Sequence, residues 1–84
     1  MDMDKFDILV DAKGLSCPMP LVRAKQEVNK ASSGAIIKVV TTDKGSIKDF
    51  QGWANVDKNI ELLSQQTVKD ENGKDLYIHY IKKK

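Results

Sequence analysis

One cysteine, one histidine, one tryptophan and two prolines are all that this 84-residue chain holds of those residue types. The lone Cys17 excludes an internal disulfide, and with no second cysteine there is no Cys-x-x-Cys pair for dithiol exchange. Apolar runs are short, Ile8-Leu9-Val10 being as long as any, whereas a membrane-crossing helix needs about 18 apolar residues. No membrane span is expected. Met1-Asp2-Met3-Asp4-Lys5 leads into no signal-type apolar segment, so a cytoplasmic location is expected. Charge of a single sign is also scarce: 14 Lys+Arg against 12 Asp+Glu leave +2, too mild for a nucleic-acid footprint. No His/Cys/Asp/Glu cluster, phosphate loop or paired-carboxylate site stands out, so neither metal nor cofactor is expected. A chain this short buries one core, which excludes an enclosed multi-substrate active site.

What is present alternates between strand and helix patterns. Phe6, Ile8 and Val10 alternate with Asp7, Leu9 and Asp11 and predict a first strand. After the glycine-containing loop Ala12-Lys13-Gly14-Leu15-Ser16, the residues Leu21, Ala24, Val28 and Ala31 recur at helical spacing, with Pro18 and Pro20 in the first turn and Gly34 past the end. Ala35 to Thr42 is dense in β-branched residues and reads as a central strand covered on both sides or nearly so. Asp43-Lys44-Gly45-Ser46 turns into a second helix through Ile47, Phe50 and Ala54, with Ser46 as a candidate cap and Gly52 weakening the pattern. Ile60 to Val68 is read as a strand because Asn72-Gly73 is a hairpin signal and Leu76 to Ile81 is strand-like beyond it. The order β-α-β-α-β-β predicts an α+β two-layer sandwich, a mixed four-stranded sheet with both helices on one face. Residues 1–84 are expected to form a single domain, with Lys82-Lys83-Lys84 a frayed basic tail.

The informative stretch is Asp11 to Leu21. A thiol transfers sulfur as the thiolate, and at an ordinary pKa of about 8.5 only some 3% is ionised at neutral pH, against about a quarter after a shift of one unit. Cys17 falls at or beside a helix N-cap, where unpaired N–H groups and the helix dipole favour an anion. Pro18 and Pro20 preset the first turn but remove donors, leaving chiefly Met19 and Leu21, so a modest pKa depression is expected. The alternative is a small buried hydrophobe at an ordinary helix start. His79 could pair with a thiol only if folded beside it, and its strand position points instead to a surface or sheet-face role. Trp53 suits the core or a partner-facing anchor.

The segment Asp11-Ala12-Lys13-Gly14-Leu15-Ser16-Cys17-Pro18-Met19-Pro20 resembles the signature of the TusA/SirA-like sulfur-carrier family, a Cys-Pro-x-Pro at the start of the first helix. Nearly the whole chain is similar in length and strand order. The resemblance implies that Cys17 accepts sulfane sulfur as a persulfide from a cysteine desulfurase or rhodanese-like donor and passes it to an acceptor protein, in a relay serving tRNA thiolation, cofactor sulfuration or sulfur oxidation. Pro18, Pro20 and Gly14 would position the motif. Asp43 looks like the acidic residue the family carries after its second strand, and Lys13 and Arg23 flank the thiol as candidates for docking or thiolate support. Met19 between the prolines, and Lys44 where proline often follows the aspartate, depart from the family pattern and bear on partner choice. A monomer acting as a carrier rather than a turnover enzyme is expected. The rival reading is a regulatory protein- or RNA-binding module whose Cys17 is a redox sensor or silent; selenium delivery is a third.

Overall fold

Stretches rich in β-branched and aromatic residues form four strands and two amphipathic stretches form helices, in the order β1 (Ile8–Ala12), α1 (Met19–Lys30), β2 (Ile36–Thr41), α2 (Ser46–Val56), β3 (Ile60–Lys69) and β4 (Asp75–Lys83). The computed structural model describes residues 6–16 and 18–84; Cys17 and residues 1–5 lie outside the described residues. The sheet runs β1-β2-β4-β3, with β1 and β2 parallel and the other two pairings antiparallel. This is the expected α+β sandwich with a mixed four-stranded sheet.

Register explains why one face is apolar. Ile8, Ile37, Ile81 and Leu62 form one row across the four strands, and Val10, Val39, His79 and Gln65 form the next. Because side chains alternate along each strand, both rows face the same way, and α1 and α2 pack over them with Ala24, Val28, Phe50 and Trp53. The opposite face is partly open: Leu9 keeps 55% of its surface and Val68 38%. Lys38 lies there between the rings of Phe6 and Tyr80, 5.2 and 5.9 Å from their centroids, so β2 is fully covered on one side and half-covered on the other.

Three readings need correction. Ala12, placed in the loop, is the last residue of β1 and is fully buried, whereas Phe6 precedes the strand and is 39% exposed. Ser46 caps nothing: Gly45 occupies the N-cap, no side chain caps α2, and the Ser46 hydroxyl points into the core. Lys82-Lys83-Lys84 is not a frayed tail. Lys82 and Lys83 belong to β4, which is inserted between β2 and β3 and therefore hydrogen-bonds on both sides. Lys83 donates its N–H to Ala35 O, accepts from Gly34 N, and sends Nζ to Ala31 O at 2.8 Å just past the end of α1, while Lys84 N donates to Asn59 O. Charge density suggested a solvated end. Two-sided pairing overrides it, with the flexible lysine stems carrying the ammonium groups outward or onto a helix-end carbonyl.

Candidate functional site

The C-terminal end of the parallel strands gathers three loops. Ala12, Thr41, Tyr77 and Thr67 lie in one row across the sheet. Beyond that row come the loop from β1 to α1, the turn from β2 to α2, and the β3–β4 hairpin closed by Asp70 and Gly73. Cys17 itself lies outside the described residues; its sequence neighbours Ser16, Pro18, Met19 and Pro20 are described. Pro18 is the N-cap of α1, exposed, with its carbonyl accepting from Val22 N at 3.1 Å; Pro20, in the first turn, is buried. Met19 N donates to Ser16 O at 2.9 Å, so one of the two donors expected to face the sulfur is already used. The first turn holds no acidic residue, which leaves the positive end of the helix dipole unopposed there.

Gly14 takes φ +81°, a left-handed conformation that glycine adopts at little cost. This aims its N–H at Thr42 Oγ1, 3.0 Å away, and ties the motif loop to the β2–α2 turn. Lys13 is exposed, with Nζ 4.0 Å from Asp11 Oδ2 and its backbone N–H on Asp11 Oδ1. Its charge also reaches the hairpin: the Asp70 carboxyl is held below the usual carboxylate range by the Lys74 N–H first, and Lys13 adds to that pull. Arg23 is exposed on α1, beside Asp11, Gln26 and Glu27 in a shallow depression between α1 and β1. Asp43 is half-buried; its Oδ1 accepts from Gly45 N at 3.0 Å and its carbonyl accepts from Ser46 N at 3.1 Å. Of the predicted residues, the structure thus joins the loops of Gly14 and Asp43, sets Lys13 near the hairpin, and keeps Arg23 on the outer face of α1.

Sequence reasoning missed two features. Met19 and Val22, one turn apart on α1, expose 46% and 37% of their surface beside Pro18, an apolar strip next to the motif that a binary pattern reads as ordinary helix. The other is a buried polar chain. His79 has no exposed surface and stacks on Phe50 with ring centroids 4.3 Å apart. Gln65 Nε2 donates to Ile47 O at 2.9 Å, and the same nitrogen lies 3.1 Å from His79 Nδ1. A carbonyl can only accept, so the Gln65 nitrogen is the donor to both and Nδ1 is an acceptor. His79 is therefore neutral with its proton on Nε2, which donates to Ser46 Oγ at 3.0 Å. Ser46 in turn donates to Thr41 Oγ1 at 2.9 Å, and Thr41 to Asp43 O at 3.3 Å. Desolvation pushes the His79 pKa down to about 4, in keeping with that tautomer. Both ring nitrogens are engaged, so His79 is no base for Cys17. Among the described residues no group of three or more His, Cys, Asp or Glu could hold a metal, and no helix is long and apolar enough to cross a membrane.

The family model described as Sulfurtransferase TusA matches residues 8–83, from the first residue of β1 to the last of β4. The chain belongs to the TusA sulfurtransferase family. The sulfur carrier protein TusA of Allochromatium vinosum is 44% identical over 82 residues, covering 98% of this chain and 99% of its own length. A protein of Halobacterium salinarum whose name proposes a sulfur carrier is 42% identical over 74 residues, 88% of this chain and 85% of its own. The sulfur carrier protein TusA of Pseudomonas putida strain F1 is 27% identical over 78 residues, 93% of this chain and 90% of its own. For this TusA-family chain, the stretch that carried the resemblance, Cys17-Pro18-Met19-Pro20, falls within the matched span, and its described members stand at the entrance to α1.

Proposed function

We propose that this protein is a sulfur carrier: Cys17 accepts sulfane sulfur from a cysteine desulfurase or rhodanese-like donor and delivers it to an acceptor protein. The observation that carries this reading is the Cys-Pro-x-Pro motif at the entrance to α1 in a chain that belongs to the TusA family. In the accepting step the Cys17 thiolate attacks the outer sulfur of the donor persulfide. A new S–S bond forms on Cys17, the donor's S–S bond breaks, and its electron pair returns to the donor as thiolate, so no external oxidant is consumed. Delivery repeats the exchange with an acceptor thiol attacking the Cys17 persulfide. The positive end of α1, with no acidic residue in its first turn, favours the thiolate.

Gly14, Pro18 and Pro20 position the motif in this reading. Specificity comes from docking rather than from a pocket: the apolar strip of Met19 and Val22 meets the partner, with Lys13, Arg23 and Asp43 as charged contacts around it. Sulfur for tRNA thiolation or cofactor assembly is the expected destination, in the cytoplasm. The test is the intact mass of wild type and Cys17→Ala after incubation with a cysteine desulfurase and cysteine, without reductant. Wild type gains one sulfur that a thiol reductant removes, and Cys17→Ala gains none. Absence of any gain from both a desulfurase and a persulfidated rhodanese would transfer the assignment to a binding module with a silent or redox-sensing cysteine.

A further inference from the structure

The buried chain from Gln65 to Thr41 ends at the carbonyl of Asp43, in the turn whose next-door residue, Thr42, holds the motif loop. Each link is directional: Gln65 to His79, His79 to Ser46, Ser46 to Thr41, Thr41 to Asp43 O. Each hydroxyl along it has one bond to accept and one to donate, so the order has no slack. Thr41, Ser46 and His79 are 0, 1 and 0% exposed, where an unmade bond is costly and the arrangement is held accordingly. Thr42 Oγ1 then accepts the N–H of Gly14 across 28 residues of sequence, three residues before Cys17. Fold stability alone does not call for a polar path through an otherwise apolar core; apolar residues of the same shape would fill it as well.

We propose that Thr42 is a positioning residue for sulfur transfer, and that the chain His79–Ser46–Thr41 anchors the β2–α2 turn so that Thr42 can hold the motif loop in register with an incoming persulfide. The proposal rests on Cys17 being the sulfur-bearing residue. Docked exchange between two proteins has a narrow approach geometry, and misplacement by about 1 Å can cost as much as about 100-fold in rate. A loop tied at Gly14 by one side chain is where such misplacement would enter.

The experiment compares single-turnover sulfur acquisition from a persulfidated cysteine desulfurase, followed by intact mass, with the rate of Cys17 alkylation by iodoacetamide and with thermal stability. Thr42→Val removes the acceptor on an exposed residue and is expected to slow acquisition by about tenfold at nearly unchanged stability, while Thr42→Ser restores it. His79→Phe keeps the stack on Phe50 but strands Ser46 and Gln65. Ser46→Ala added to it removes the stranded hydroxyl and recovers part of the stability, yet acquisition stays slow. Val28→Ala, at the far end of α1, loses stability and keeps the wild-type rate. If Thr42→Val and the double variant acquire sulfur within twofold of wild type while wild type itself is loaded, the positioning role is wrong and the carrier reading stands. If wild type acquires no sulfur from either class of donor, both fall together. Should His79→Phe fail to fold, Thr42→Val decides alone.

Discussion

His79 shows how much one residue's role depends on its neighbours. Its sequence position marks it only as facing away from Ile78 and Tyr80; the fold closes both ring nitrogens against Gln65 and Ser46 and removes it from water. The consequence is a pH dependence whose sign follows from linkage. His79 titrates near 4 in the folded protein against an ordinary 6.5, so between those values the unfolded chain binds the extra proton. Stability is therefore full above about pH 6.5 and falls as pH drops toward 4, by about 3 kcal/mol in all. Asp57, lowered by the Asn59 N–H and then by Trp53 Nε1, and Asp70, lowered chiefly by the Lys74 N–H, lose their contributions only below the ordinary carboxylate value of 3.8. Urea unfolding at pH 7 and 4.5 separates the two ranges: wild type loses stability across this interval, and a His79→Phe variant shows a much flatter response. An equal slope in both would place the titration elsewhere.

The elements differ in how fully local propensity accounts for them. Gly52 lies inside α2, its φ is not positive, and a Cβ built on it meets nothing within 4 Å. The helix runs unbroken through it, because Phe50 and Trp53 anchor it on both sides. Gly52→Ala is accordingly expected to raise stability by about 0.5–1 kcal/mol, read as an upward shift in the denaturation midpoint. The end of β4 is the opposite case, since tertiary pairing makes a strand of residues that read as tail. Deleting Lys83 and Lys84 removes the bonds to Gly34, Ala35, Asn59 and the end of α1. At about 0.5–1.5 kcal/mol per hydrogen bond the loss of these four should total about 2–6 kcal/mol. A truncated chain as stable as the parent would show that the pairing contributes nothing.

At the scale of the molecule, the described residues form a single apolar layer between the sheet and both helices, and Trp53, the one tryptophan, packs within it with its ring centroid 5.9 Å from that of Phe50. With no second core among the described residues to melt separately, Trp53 fluorescence and far-UV circular dichroism should trace one coincident unfolding transition. Ile81→Ala, at a fully buried position of the central strand β4, should move both by the same amount, equivalent to about 2–5 kcal/mol; separated transitions would contradict the single layer. The amino-acid sequence alone determined the succession of elements, the two-layer class and the motif Cys17-Pro18-Met19-Pro20, because each is written in short-range signals: alternation, helical spacing, Asn72-Gly73 at the hairpin, prolines at a helix start. Tertiary structure alone decided that β4 runs between β2 and β3, that its basic end is paired, that three loops meet at one end of the sheet, and that Gln65, His79, Ser46 and Thr41 form one hydrogen-bonded line. Those outcomes turn on which strands become neighbours. Periodicity shows that a strand has a buried face; it carries no record of the residue that face will meet.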